Sequence, residues 1–524
     1  MISKLLCKAT IEDIRFACGE DWKLIKETSS NSLDITNKDN IVEVVLKLYD
    51  TSILEKIAFR ELFLKTLSDD KVIELSKKLN ISDNNSIVTI VRSLAAKPWG
   101  SASKLLKVFN EMGFDKSYLP IEANRFKSTE NVTSCRALPD LFEYQIEVIE
   151  RILPQMKVTN NKVLLQLPTG SGKTRIMMEA ITEYISQESS CYSILWLAHS
   201  EELLEQAISS FKNVWSSKGD FSATLHRFYG QYSPNELLLP NSITFAGLQK
   251  LSRLDFDSDF FQELQKSVTH IVVDETHKVT AKTYERLVAQ LRTNGRSTLI
   301  GVTATPGRNY SASSENRKFA RFFNDNLITP NLGSDPIKKL QDMGVLSTVK
   351  RKAIDTGIDV TDSDLSLTTL KRLGRLKNRN NLLMDEIAIQ VEKKRPTLVF
   401  SCSTEHSRLL ATGLILRGIS AAFVDYTKSS SSRRNIIDKF RKGEISVLIN
   451  YGVLSTGFDA PEIQTLVIAR PTTSLILYSQ MIGRGLRGPK VGGNQNVTII
   501  DVKDNFSSYG DLDEMYNHFS SYWR

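Results

Sequence analysis

The rhythm of apolar positions changes near residue 137. Before it, apolar residues recur at helical spacing, as with Val44, Val45, Leu48, Ile53, Leu54, Ile57, Leu62 and Leu64 within Ile41–Leu67. That spacing predicts amphipathic helices. Val72–Leu79 continues the pattern, and Ile87–Phe114 predicts two more helical runs, broken at KPWGSAS, where Pro98 and Gly100 interrupt. The polar stretch Ser128–Cys135 reads as a linker. After it, short β-branched runs alternate with longer amphipathic ones: VLLQL at 163–167, SILWLA at 193–198, SITFA at 242–246, HIVVD at 270–274 and STLIGVTA at 297–304. A second series follows, with TLVFS at 397–401, SAAFV at 420–424, SVLIN at 446–450, TLVIA at 465–469 and NVTIID at 496–501. Strands alternating with helices imply parallel sheets covered on both faces. The expected fold class is α/β, with two tandem units at 137–330 and 331–524 after a mostly helical domain at 1–136. Ligands of such sheets bind at the carboxyl ends of the strands, and two units offer a cleft between them.

Composition adds little until charge is divided along the chain. The 524 residues are 41% apolar and 24% charged, ordinary values for packed domains. No apolar run approaches the ~20 residues a membrane helix needs, and the N-terminus lacks a signal-peptide core, so a cytoplasmic protein with no membrane partner is expected. Cys7, Cys18, Cys135, Cys191 and Cys402 form no C-x-x-C pair, which argues against zinc or iron–sulfur sites. The formal charge of +8 divides as +2 over 1–136, −1 over 137–330 and +7 over 331–524. A basic last third suits a polyanionic partner such as nucleic acid.

The sharpest chemical signal is Leu167-Pro168-Thr169-Gly170-Ser171-Gly172-Lys173-Thr174, which follows a predicted strand and opens a predicted helix. That context fits a phosphate-binding loop. Gly170 and Gly172 let backbone N–H groups turn towards phosphate oxygens, and the helix N-terminus adds its positive dipole end. Lys173 would reach the β- and γ-phosphates of ATP, and the Thr174 hydroxyl would bind Mg²⁺. Leu167 stands where the simplest form of the loop has glycine. Further on, the strand His270–Val273 runs into Asp274-Glu275-Thr276-His277. On a strand taken to neighbour that of the loop, Asp274 would hold Mg²⁺ through water and Glu275 would orient or deprotonate the attacking water. In the second unit, Gln480-Met481-Ile482-Gly483-Arg484-Gly485-Leu486-Arg487 predicts a helix with Arg484 and Arg487 on one face. Two guanidinium groups across a cleft would stabilise charge on a transferring phosphoryl group.

Taken in order, these residues resemble the motif set of superfamily 2 helicases and translocases of the DEAD/DEAH-like kind, over roughly residues 138–505. GSGKT and DETH are similar to motifs I and II, and Thr303-Ala304-Thr305-Pro306 to motif III. Ala198–Leu203 resembles motif Ia, and Thr244–Gln249 the next strand-contacting motif. Val399–Ser401 resembles motif IV, Leu454–Pro461 motif V and QMIGRGLR motif VI. The resemblance implies two RecA-like P-loop NTPase domains, an ATP-dependent hydrolase, and ATP with Mg²⁺ as cofactors. It implies that Gln145 reads the adenine edge, with Phe142 at a place where relatives carry an arginine that packs on the base. It puts Gly457 and Asp459 near ribose and γ-phosphate, and makes His277 and Gln480 a link between lobes. It implies backbone-directed, salt-sensitive nucleic-acid contacts from Ser200, Thr244, Gln249, Thr404 and Thr456. The run Lys371–Arg379 would either extend that track through Arg372, Arg375 and Arg379 or be a solvated helix face. The GFDAP and GRGLR wording looks most like the RadD, XPB and type III restriction motor branch, so DNA is favoured over RNA. A DNA-stimulated motor in repair or anti-phage defence is expected. The alternatives are a double-strand translocase or nucleic-acid sensor in a larger complex, with residues 1–136 as the surface for a protein partner, and an RNA helicase.

Overall fold

The computed structural model describes residues 2–29, 36–78, 81, 86–97, 114, 127–133, 138–187, 192–219, 221–233, 241–278, 282–308, 313–358, 365–453, 463–503 and 510–523. Its first sheet contains β1 (Thr129–Val132), β2 (Lys162–Gln166), β3 (Ser193–Ala198), β4 (Ala223–Phe228), β5 (Ser242–Gly247), β6 (His270–Asp274), β7 (Thr298–Thr303) and β8 (Leu327–Ile328), in the order β1–β4–β5–β3–β6–β7–β2–β8. Only the β1–β4 pairing is antiparallel. The second contains β9 (Thr348–Asp355), β10 (Thr397–Phe400), β11 (Ala421–Val424), β12 (Val447–Asn450), β13 (Thr465–Ile468) and β14 (Asn496–Lys503), all parallel in the order β11–β12–β10–β13–β14–β9. The central strands are apolar and buried on both faces under helices, as parallel sheets require. These are two RecA-like lobes. No helix among the described residues is long and apolar enough to cross a membrane.

Four strands went unread in the sequence, each for a physical reason. The stretch read as a linker contains β1, which closes one edge of the first sheet by pairing Thr129–Val132 with His226–Ala223. His226 and Arg227 interrupt the apolar run of β4. Arg227 is nonetheless buried, because Glu205 and Glu130 pair with it. Strand β9, TVKRKAID, is an exposed edge and therefore mostly polar. Strand β8 has only two residues. The strand carrying Asp274 is not the neighbour of the P-loop strand: β7 lies between β6 and β2. That insertion brings the Thr303–Pro306 segment, rather than Asp274-Glu275, directly beside the phosphate loop's strand.

The described N-terminal helices dock on the second lobe, not on the lobe that follows them in sequence. Helices Glu20–Ser29 and Lys38–Tyr49 pack on the helix Thr404–Leu416, and the latter of the two also reaches the sheet-edge strand β11. Their apolar side chains, including Ile25, Val45 and Leu48, share one core with Leu410, Leu414 and Val447. Polar groups lock the contact. Asp21, buried, accepts from Lys56 at 2.5 Å, Tyr49 at 2.7 Å and Arg408 of the second lobe at 3.2 Å. Lys439 pairs with Asp50 at 2.5 Å, and Lys428 donates to Ser52 at 3.2 Å.

Burial by itself would raise the Asp21 carboxyl, but Lys56, Tyr49 and Arg408 hold it below the ordinary carboxylate value. A lowered folded value means that its stabilising share is present above the unfolded value and lost as pH falls through the folded one. Asp21→Ala removes the buried acceptor on which Lys56, Arg408 and Tyr49 converge and leaves the two cations partly solvated, so it should cost about 1–3 kcal/mol at pH 7. The expected readout is a lower unfolding midpoint at pH 7 and a gap to wild type that narrows towards pH 3. Equal midpoints at pH 7 would contradict the docking.

Candidate active site between the two lobes

Two glycines set the shape of the phosphate loop. Gly170 and Gly172 both have φ +89°, a conformation that side chains oppose. Ser171 N–H and Oγ both donate to Pro168 O, at 3.2 and 2.7 Å. Gly172 O accepts the first bond of the helix Lys173–Gln187, from Ile176 N at 2.9 Å. The N–H groups at that helix start have no intrahelical carbonyl to bind, so the loop and helix together form an anion cradle. Lys173 and Thr174 stand half-buried in the first turn.

The residues expected to read adenine brace this loop. Gln145 Nε2 donates to Ser171 O at 3.2 Å, while its Oε1 accepts from Phe142 N–H at 3.0 Å. Tyr144, not foreseen in the sequence, donates its hydroxyl to Ser171 O at 2.7 Å. Phe142 is half-buried and stacks on Tyr144, with ring centroids 6.0 Å apart. A Cβ on Gly172 would sit 2.8 Å from Gln145 Nε2.

At the carboxyl end of β6, Glu275 adopts φ +49°, unusual for a residue with a side chain. Its N–H donates to Asp274 Oδ1 at 2.9 Å. Thr276 anchors the turn by donating to Val273 O at 2.7 Å and Val302 O at 3.1 Å. His277 Nδ1 lies 3.4 Å from Glu275 Oε2 and 3.5 Å from Thr303 Oγ1. Burial and the neighbouring Glu275 charge push the Asp274 carboxyl up to about 7. Burial also opposes the Glu275 charge, but His277, Lys173, Arg484 and His199 outweigh it and hold its pKa low. Lys173 is lowered by burial, against the pull of Glu275 and Asp274. His199, at the carboxyl end of β3 beside β6, is a further site member, and no local sequence pattern links it to Glu275.

The second lobe closes over this pair. Gln480, buried on the helix Leu475–Ile482, meets His277 across the cleft, Nε2 to Nε2 at 3.3 Å. Gly483 seats on Thr169, with no space for a Cβ, and Gly170 abuts Leu346 and the backbone of Leu486. Arg484 is near enough to act on Lys173, Asp274 and Glu275. The expectation of one helix carrying both arginines does not hold. The helix stops at Ile482, and Gly483–Gly485 form turns. Arg487 lies beyond them in an antiparallel bridge to Leu346, its carbonyl accepting from Ser347 Oγ at 2.6 Å. The glycines release the chain from the helix, so the two side chains are placed by a turn and a bridge rather than by i, i+3 spacing.

The chain's similarities bear on this arrangement. Residues 138–308 match the model of the type III restriction enzyme res subunit, and residues 378–488 that of the helicase conserved C-terminal domain. The chain belongs to the superfamily 2 helicases, in the branch of the type III restriction motors. Among its relatives is the putative ATP-dependent helicase IRC3 of Saccharomyces cerevisiae, 26% identical over 68% of this chain and 50% of the yeast protein. A 51.5 kDa protein of a Lactococcus phage is 25% identical over 69% of each chain. The chain thus spans about half the length of its yeast relative. A fragment of a putative HsdR subunit of a type I restriction enzyme from Vibrio vulnificus shares the fold, with TM-score 0.51 and 22% identity, covering 71% of this chain and 66% of that fragment.

The residues expected to contact nucleic acid divide. Gln249 is exposed, Thr404 half-buried, and Ser200 caps the helix Glu201–Lys218 by accepting from Leu203 N. Thr244 is buried within β5, between β3 and β4, and cannot meet a phosphate from there. Arg379 is likewise buried and donates to Ala469 O at 2.6 Å. That removes it from any basic track, and exposed Arg375 is paired with Glu405 at 2.8 Å. Thr456, Gly457 and Asp459 lie outside the described residues.

Gly172→Ala tests the loop geometry. It adds strain of about 1–3 kcal/mol at a positive φ and a collision with Gln145. Binding of a fluorescent ATP analogue should weaken by about tenfold or more, with the global unfolding midpoint little changed. Undiminished binding would contradict this loop geometry.

Proposed function

We propose that the chain is a DNA-stimulated ATPase that translocates on DNA and unwinds it. The observation that carries this reading is the meeting of both lobes on one buried carboxylate pair: Gln480 on His277, Gly483 on Thr169, and Arg484 within the field of Lys173, Asp274 and Glu275.

The residues fit an ATP–Mg²⁺ substrate. Mg²⁺ is usually held by one or two carboxylates plus substrate phosphates, and two adjacent buried carboxylates, Asp274 and Glu275, suit a divalent counter-charge. Thr174 and Asp274 would hold the ion, which neutralises charge on the β- and γ-phosphates. Pro168, Thr169, Gly170, Ser171 and Gly172 would cradle the phosphates, with Lys173 as their point charge. Glu275, kept ionised by its cationic neighbours, would orient the attacking water and accept its proton. Arg484 and Arg487 would stabilise the charge that spreads over the transferring phosphoryl group. Gln145, Phe142, Gly457 and Asp459 would take the nucleoside. Because the guanidinium groups belong to the second lobe, ATP favours closure and hydrolysis releases it, a two-state step able to drive movement. Similarity to a restriction enzyme subunit supports DNA over RNA as the track. Ser200, Gln249 and Thr404 would contact its backbone.

Lys173→Ala and Glu275→Gln should each abolish turnover, and only the second should retain ATP binding. Wild-type turnover in either variant would overturn these roles. Turnover measured with single-stranded DNA, duplex DNA and RNA should rise most with DNA. Displacement of a triplex strand and opening of a forked duplex separately test translocation and unwinding.

A further inference from the structure

Residues 510–523 follow β14 of the second lobe, begin against that lobe and end against the first. Asp513 accepts from Ile337 N at 2.7 Å and Lys338 N at 3.2 Å, capping the helix Pro336–Asp342. The chain then reaches the carboxyl ends of β2 and β7. Tyr516 binds Gln166 twice: its carbonyl accepts from Gln166 Nε2 at 3.0 Å and its hydroxyl donates to Gln166 O at 3.4 Å. Gln166 is buried, is the last residue of β2 before the phosphate loop, and lies opposite Thr303 in the parallel register. Phe519 fills the space a side chain at Gly307 would need, and Trp523 donates its indole N–H to Pro306 O at 2.9 Å. The Trp523 ring rests on Phe319 and Phe323.

These contacts end where the nucleotide site begins. Thr305 N donates to Thr303 Oγ1 at 3.1 Å, Thr303 Oγ1 lies 3.5 Å from His277, and His277 meets both Glu275 and Gln480. The second lobe therefore touches the β6–β7 end of the first at two places, through Gln480 from across the cleft and through this strap from behind.

We propose that Tyr516 and Trp523 are positioning residues that hold the Thr303–Gly307 loop against the phosphate loop, so that movement of the second lobe is transmitted to the hydrolytic site. A strap whose covalent root is in one lobe and whose aromatic anchors are in the other must follow or resist any change in their relation. Packed contacts of this kind carry coupling through a two-state element. The inference rests on the DNA-stimulated ATPase reading.

The test uses the full chain, with ATPase turnover measured with and without single-stranded DNA, KM for ATP, and thermal unfolding. Trp523→Phe keeps the ring on Phe319 and Phe323 but removes the N–H to Pro306. Gly307→Ala displaces Phe519 from the other side. Both should lower the ratio of stimulated to unstimulated turnover by about threefold to thirtyfold, leaving the unstimulated rate and KM unchanged, with the unfolding midpoint lowered only modestly by the lost hydrogen bond or the added methyl. An unchanged ratio in both variants overturns the proposal. So does a parallel fall of both rates with the midpoint, which marks a merely structural contact. A wild-type chain that no nucleic acid stimulates overturns the motor reading instead.

Discussion

Two carboxylates buried side by side at the end of β6 are the constraint on which the site depends. Asp274 and Glu275 cannot both carry charge there without cations around them. Positive charge comes from separate elements, Lys173 of the phosphate loop and Arg484 of the other lobe, while His277 from the turn after β6 and His199 from the end of β3 face Glu275 and favour its charge. The left-handed backbone at Glu275 is held by Thr276, whose hydroxyl ties the turn to both β6 and β7. A strained, charged turn of this kind persists only where its surroundings over-determine it.

The same electrostatics explain why the lobes belong together. Arg484 finds its counter-charge in the first lobe, and Gly483 lets the second lobe seat on Thr169 where a Cβ would collide. The helical N-terminal unit is built into the second lobe by a shared apolar core and the buried Asp21 network. It therefore travels with the lobe that carries the arginines. Residues 510–523 make the opposite crossing, from the second lobe to the first.

Much of this was legible in the sequence, and the residues show where legibility stopped. Central strands could be read because burial on both faces leaves unbroken apolar runs such as HIVVD. The glycine loop could be read because its positive φ angles leave a compositional trace. Burial depth could not: Thr244 and Arg379 look like surface polar residues in the sequence, yet one is interior to β5 and the other is satisfied by a main-chain carbonyl. Strand order was also hidden, since adjacency in a parallel sheet does not follow chain order, and β7 separates β6 from β2. Contacts such as Asp21 with Arg408, or Trp523 with Pro306, join segments hundreds of residues apart and carry no local pattern at all.

The most direct test of the central claim is single-turnover ATP hydrolysis by Arg484→Ala at saturating ATP and DNA, alongside binding of a non-hydrolysable analogue. If a guanidinium from the second lobe completes the site on the first, hydrolysis should slow by about 10³-fold or more while the analogue still binds. Hydrolysis at the wild-type rate would contradict the account, because the buried pair would then be working without the other lobe.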